Sequence, residues 1–290
     1  MSTKHKYDFA VILRVINANP NGDPLNGNRP RTNYEDLGEI SDVCIKRKIR
    51  NRLLHSGEPI LIQSDDNKLD EHNSIKARID ASGLKTDDKT FKKKACEKWY
   101  DVRAFGQVFA FAKGKDSSSG VSIPVRGPVS VQPAFSLRPV TITSTQITKS
   151  TNAEDKKKKN SDENAMSSDR MGMKHRVDHG IYVFYGSISS QLASDETGTG
   201  FTDSDAEKLK ESLRTLFEND ASSARPDGSM EVLNVIWWKH SCPSGDISSA
   251  KVHKSLIVNP STGDIESAPN LKFSQDQNEG TQTPEIIPGF

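Results

Sequence analysis

The stretch from Tyr7 to His55 constrains the fold more than any other part of the chain. It opens with YDFAVILRVI, rich in β-branched and aromatic residues and ended by Asn17 and Asn19, which predicts a strand. The turn NPNGDP follows. Asn and Asp bond their own backbone, Gly reaches positive φ, and each Pro excludes helix from the position before it, so this loop is shaped rather than slack. Beyond GNRPR, Ser41 or Asp42 can cap a helix over SDVCIKRKIRNRLLH, closed by Gly57 and Pro59. Strand, shaped loop and helix make a β-α opening.

At 3.6 residues per turn, Ile45, Ile49 and Leu53 form a narrow apolar stripe. Lys46 and Arg50 lie along one edge, Lys48 and Arg52 along the other, Arg47 adds a further base, and Asp42 is the only acid from Ser41 to His55. A surface helix with solvated bases is one reading. Five bases in seven positions behind a shaped loop favour the other, a polyanion site. There phosphates are neutralised with release of counterions, helped by N–H groups of the loop and helix start.

The net charge of +1 says little about partners, but its distribution says more. Bases gather at 46–52, 85–98 and 149–159, while beyond Leu256 the acids Asp264, Glu266, Asp276, Glu279 and Glu285 face Lys272 alone. That asymmetry suits an anion gripped on one face. Cys44, Cys96 and Cys242 are widely spaced and lack a CxxC pair, which argues against a disulfide framework or a zinc site and fits a reducing cytoplasm. No apolar run approaches the ~20 residues of a membrane span, so a soluble protein with no membrane partner is expected.

Residues 56–120 read as an insertion, with a short helix near Asn73–Ile79, a helix over FKKKACEKWY and an extended run at Val108–Phe111. Phe105, Phe109 and Phe111 are expected in a core rather than stacked on bases. Lys113–Gly120 is a loop. VSIPVRGPVSVQPAFSLRPVTITSTQITKS should be extended structure broken by turns, and TNAEDKKKKNSDENAMSSDR is a polar low-complexity tract. MGMKHRV then leads into a strand over Gly180–Ser189, so two extended arms flank a polar tip, as in a projecting hairpin. The helix in FTDSDAEKLKESLRTLFEND, capped by Thr202 or Asp203, presents Ala206, Leu209, Leu213, Leu216 and Phe217, and the strand MEVLNVIWWKH follows it. The order is the α+β, ferredoxin-like βαββαβ plan. HSCPSGDISSAKVHKSLIV offers one further strand, and the acidic tail 267–290 is expected to be poorly ordered.

The segments YDF, NPNGDP, GNRPR, SDVCIKRKIRN, WYDVRAFG, RGPVSVQPAFSLRPV, TQITKS, MGMKHRVDHGIYVFYG and HSCPSG together resemble the Cas7 branch of the RAMP superfamily. The resemblance is to the crRNA-binding backbone subunit of the type I-C CRISPR Cascade complex. The resemblance covers nearly the whole chain. It implies an RRM-like palm with an inserted finger region and a β-hairpin thumb, here about 145–177. It also implies copies that polymerise along one crRNA, with the guide rather than the protein reading the target DNA strand, beside other Cascade subunits.

Carried over by that resemblance, RNA binding falls to Asn19, Asn21, Gly22 and Arg31, to Lys46, Arg47, Lys48 and Arg50, and to Ser136 and Gln146. Met171 and Met173, with Lys174 beside them, become the thumb's wedge into the base stack, ordinary packing being their alternative role. A non-catalytic scaffold is expected. Two other readings stand: a metal-dependent ribonuclease of the type III backbone kind, and a generic single-strand RNA binder. In nuclease relatives an acid of the loop before the helix does the chemistry, and here that place in PRTNYEDLG holds Asn33, with Asp23, Glu35 and Asp36 nearby. The seven histidines form no HExxH, and no P-loop or GxGxxG occurs, so no cofactor is expected.

Overall fold

The computed structural model describes residues 1–86, 88–111, 121–148, 171–275 and 278–290. Strand β1 (Tyr7–Ala18) has neighbours on both sides and is buried on both faces, which explains its almost unbroken apolar sequence. Behind it the short strands β2 (Gly22–Asp23) and β3 (Arg29–Pro30) pair with each other, and β4 (Leu37–Ile40) leads to α1 (Asp42–His55). Ser41 Oγ accepts from the N–H of Cys44, so Ser41 is the cap.

The segment after α1 builds α2 (Ile75–Ala81), α3 (Phe91–Lys98), α4 (Tyr100–Phe105) and the hairpin of β5 (Gly106–Phe111) with β6 (Val121–Arg126). These elements enclose a small core of their own, in which Leu61, Ile79, Phe91, Trp99 and Phe109 are buried, and Phe91 meets Phe109 edge-on. Phe105 packs against the main core instead, and the side chain of Phe111 lies outside the described residues. The expected loop 113–120 also lies outside them.

Strands β7 (Val129–Val131), β8 (Ala134–Pro139) and β9 (Ile142–Thr148) run one after another along the same partner, the 18-residue β10 (Met171–Ile188). The breaks between them fall at Gln132-Pro133 and Pro139-Val140-Thr141, where proline removes a ladder donor. After α5 (Ser190–Ala193), α6 (Asp203–Arg214) starts on a capping box between Thr202 and Asp205. Then come β11 (Met230–Lys239), α7 (Ser249–Ser255) and the paired β12 (Ile257–Val258) and β13 (Ile265–Ser267). The tail adds β14 (Leu271–Gln275), β15 (Asn278–Gln282) and β16 (Glu285–Pro288).

The main sheet is antiparallel, in the order β16-β11-β1-β10-β8-β4. Tyr7, Phe9, Val11, Leu13 and Val15 face a core shared with α1 and α6, while Ala10 and Ile12 face a second core closed by Trp238 and by Val252 of α7. Inside that second layer Asp8 is wholly buried. The N–H of Asp246 donates to His240 Nδ1 at 2.9 Å, leaving Nε2 to donate to Asp8 Oδ2 at 2.8 Å. Burial raises the carboxyl's pKa, but bonds from His240 and Ser249 and the charge of Lys6 outweigh it and hold it below the ordinary range.

The tail from 267 departs from expectation. It carries three strands, and Ile286 and Ile287 of β16 pair with Ile236 and Val235 of β11. Its acidic, Gln-rich composition hid a short EIIP segment that completes the sheet edge.

Candidate nucleic-acid interface

Two short hairpins shape the loop before α1. In the first, Gly22 pairs with Pro30, and a Cβ at Gly22 would stand 3.0 Å from the Asn28 carbonyl, which accounts for glycine there. Asn19 is buried, and its Nδ2 donates to Asn28 O at 2.6 Å. Asn21 Oδ1 accepts from both the N–H and the hydroxyl of Ser41 at 2.9 Å, tying the loop to the cap of α1. Asp23 Oδ1 accepts from the N–H of Leu25 at 3.3 Å and stands 3.3 Å from Arg31 Nη2. These side chains hold the loop's form, and Asn19 and Asn21 are occupied with doing so.

The second hairpin runs from Arg31 to Glu39. Asn33 Oδ1 accepts from the N–H groups of Glu35 and Leu37 at 2.9 and 3.0 Å, and Asp36 sits at φ +59°. Asn33 is thus a turn-former. Among the described residues no three His, Cys, Asp or Glu side chains gather in a way that suits a metal ion.

Helix α1 corrects the picture of one narrow stripe with free cationic flanks. Its buried side also includes Cys44, Lys48 and Leu54. Lys48 is 2% exposed, bonded to Asp220 and set over the Phe217 ring at 5.5 Å. Desolvation holds its ammonium below the usual lysine range, against the pull of Asp220. Arg50 Nε donates to Asp101 Oδ2 at 3.2 Å beneath Phe105, and Arg52 Nε donates to Thr215 Oγ1 at 2.7 Å. Lys48, Arg50 and Arg52 therefore fasten the helix to the rest of the protein. Lys46 is half-buried and paired with Asp42, and Arg47 is the exposed base.

Beyond the end of β1, the strands β9 and β10 continue as a two-stranded ribbon. Met171 lies opposite Thr148, Met173 opposite Gln146, Lys174 opposite Thr145 and His175 opposite Ser144. Directly paired residues share a face, so Met171, Met173, His175, Gln146 and Ser144 line one side and Lys174 and Arg176 the other. Both methionines are exposed, and Gln146 Nε2 donates to Met171 Sδ at 3.1 Å. Ser144 Oγ lies 2.8 Å from His175 Nδ1 and accepts from Arg29 Nη1 at 3.2 Å, so the loop before α1 is bonded to the methionine face of the ribbon. Arg176 Nε reaches Asp178 Oδ1 at 3.5 Å, and Asp178 Oδ2 accepts from Thr143 at 2.9 Å.

The structure therefore joins Gln146, Met171 and Met173 to the loop through Arg29, and sets Arg31 two residues away on the same loop. Lys174 stands on the reverse face. Ser136 does not belong here: it is buried, accepting from the N–H of Gly38 at 2.8 Å and donating to the Arg138 carbonyl at 2.6 Å. Arg29, Ser144 and His175 escaped sequence reasoning. The period-2 pattern of MGMKHRV, which puts Met171, Met173 and His175 on one face, was the available signal. The lysine run 156–159 lies outside the described residues.

These features define a mixed α+β protein with a large antiparallel sheet, whose loop before α1 is tied through Arg29 to a two-stranded ribbon. Residues 5–277 match the family described as CRISPR-associated protein Cas7, and the chain belongs to that family. A Haloferax volcanii (strain DS2) protein described as CRISPR-associated protein Cas7 is 26% identical over 246 residues, covering 77% of this chain and 67% of the relative. Among solved structures, a chain of a "CRISPR RNA-guided surveillance complex, pre-nicking" aligns with a TM-score of 0.46 at 15% identity, over 80% of this chain and 78% of its own. A chain of a "CRISPR RNA-guided surveillance complex" gives 0.44 at 15% identity, over 80% and 68%.

Proposed function

We propose that this Cas7 protein is a non-catalytic, crRNA-binding backbone subunit of a Cascade complex, of the type I-C kind, working in the cytoplasm. Copies polymerise along one crRNA, each holding a length of sugar-phosphate chain and leaving the bases free to pair with a target DNA strand, beside other Cascade subunits. The strands β11-β1-β10-β8, with α1 and α6 on one face, serve as the RRM-like palm. Residues 56–120 act as the finger insertion, and 145–177 as the thumb.

One observation carries this reading: the Arg29-Ser144-His175 chain of contacts, which fixes a guanidinium to the face of the ribbon that also carries Met171, Met173 and Gln146. A cation beside exposed apolar side chains suits a polynucleotide, whose phosphates take the charge and whose bases take the apolar surface. Arg31, Lys46 and Arg47 extend the charge toward α1. Lys48, Arg50 and Ser136 support the site from beneath.

Asn33 supports the non-catalytic reading, because its amide neither takes up a proton nor anchors a metal as a carboxylate does, and both its acceptor bonds go to the turn. The test is a mobility-shift titration of the purified protein with single-stranded RNA of guide length, with and without magnesium. Cooperative loading with intact RNA is expected. Independent binding of single copies would favour the generic RNA binder, and magnesium-dependent cleavage would favour the nuclease.

A further inference from the structure

The hairpin Arg31–Glu39 ends in an aromatic that touches nothing. Tyr34 is fully exposed on a turn whose backbone is held by Asn33, by the N–H of Asn33 on Leu37 O at 2.9 Å, and by the N–H of Val140 on Asp36 O at 3.0 Å. Its neighbours Glu35 and Asp36 are exposed acids. A large ring held in water on a rigid acidic tip exposes apolar surface that a partner would bury.

On the far side of α1 in the sequence, the finger insertion carries an open groove of about 470 Å³ between α2 and β5. Ile75, Val108 and Phe109 give it an apolar floor, Val108 is 58% exposed, and Lys76 stands exposed at its rim. Apolar tip with acidic flanks and apolar groove with a basic rim are complementary in polarity and sign. The tip precedes the helix and the groove follows it, and in a single protomer both stay open to solvent.

We propose that the Tyr34 tip of one copy seats in the Ile75-Val108 groove of the next, with Glu35 or Asp36 facing Lys76. A contact between two different patches of the same chain is heterologous. It does not close on itself as a two-fold contact does, and repeated it gives an open row. This inference rests on the proposal that copies line up along a guide, and it names the surfaces that would set their spacing.

The test is disulfide trapping between the exposed positions, in the variant carrying both Tyr34→Cys and Val108→Cys. Mild oxidation by diamide joins two thiols, which lose two hydrogen atoms to the diazene. On guide-length RNA the double variant should give a ladder of covalent dimers, trimers and longer species, and a mixture of the two single variants only a Tyr34→Cys to Val108→Cys dimer. Glu35→Lys or Lys76→Glu alone should weaken cooperative loading about tenfold, and the two together should restore it to within about threefold.

No ladder despite cooperative loading would overturn the contact and leave the RNA reading standing. No ladder, with no cooperative loading by the natural protein either, would overturn both. Binding of one copy to a short oligonucleotide, measured beside these, should be unchanged in every variant, and a loss there with intact folding would assign Tyr34 to the RNA instead.

Discussion

Arg29 Nη1 donates to Ser144 Oγ across 3.2 Å, joining the loop before α1 to a ribbon that begins more than a hundred residues later. Arg29 is half-buried, and on the proposed reading its guanidinium also takes a phosphate. Changing Arg29→Ala should weaken guide RNA binding about tenfold and lower the salt dependence by about one phosphate contact. A salt titration of affinity checks both. Ser144→Ala, which frees the arginine without removing it, should keep the slope.

Lys48 is expected to behave in the opposite way. Its partner Asp220 also has Arg225, at 3.3 Å, so Lys48→Met leaves the carboxylate one cation. Destabilisation of about 2–3 kcal/mol is expected, at or below the low end for breaking a buried pair, with the salt slope of RNA binding unchanged in the folded fraction. Urea melts alongside the salt titration separate the two effects.

Asp205 gives a pH-dependent prediction. Burial pushes its carboxyl pKa up, but the fork of Arg103, at 2.7 and 3.0 Å, and the N–H of Thr202, at 2.8 Å, pull it below the ordinary value. A carboxylate depressed in the folded state gives its full stability above the unfolded pKa of ~3.9, and that stability is lost as pH falls toward the folded value. Urea midpoints measured from about pH 6 down to about pH 2 should fall more steeply for the natural protein than for Asp205→Asn, the two curves converging in acid.

Gly38 is required by Tyr182. A Cβ at Gly38 would lie 2.1 Å from the Tyr182 hydroxyl, and one at Gly180 would lie 2.7 Å from the same ring. Gly38→Ala should cost about 1–3 kcal/mol, as overpacking does. Tyr182→Phe should recover part of that in the double variant, because ring carbons remain 2.8 and 2.9 Å away. Chemical denaturation of the three variants checks the coupling.

Met171 and Met173 are half exposed, so replacing both with Ala should change stability by less than about 0.5 kcal/mol. If they wedge between bases, a 2-aminopurine placed along a bound guide should be brightest at regularly spaced positions, and the double variant should remove that pattern. An unchanged pattern would return the pair to ordinary surface packing.

The strand over Tyr7–Ala18, the capped helices at Ser41 and Thr202 and the ribbon arms were legible, because each has a local signature in period, cap or turn. Charge was the misleading guide. In α1 the bases Lys48, Arg50 and Arg52 look alike in sequence to Arg47, yet each meets a partner from a distant segment, Asp220, Asp101 or Thr215, that spacing along one helix does not reveal. Arg29 was missed for the same reason, since its meaning depends on Ser144. In the tail, EIIP is too short to stand out until β11 is present beside it.

The most direct test of the central claim is to map where a guide RNA carrying 4-thiouridine cross-links to the protein, reading the attached peptides by mass spectrometry. Attachment within residues 21–31, 142–148 and 171–176 is the predicted result. Attachment confined to the outer face of α6 or to the finger insertion, with none on the ribbon, would contradict it.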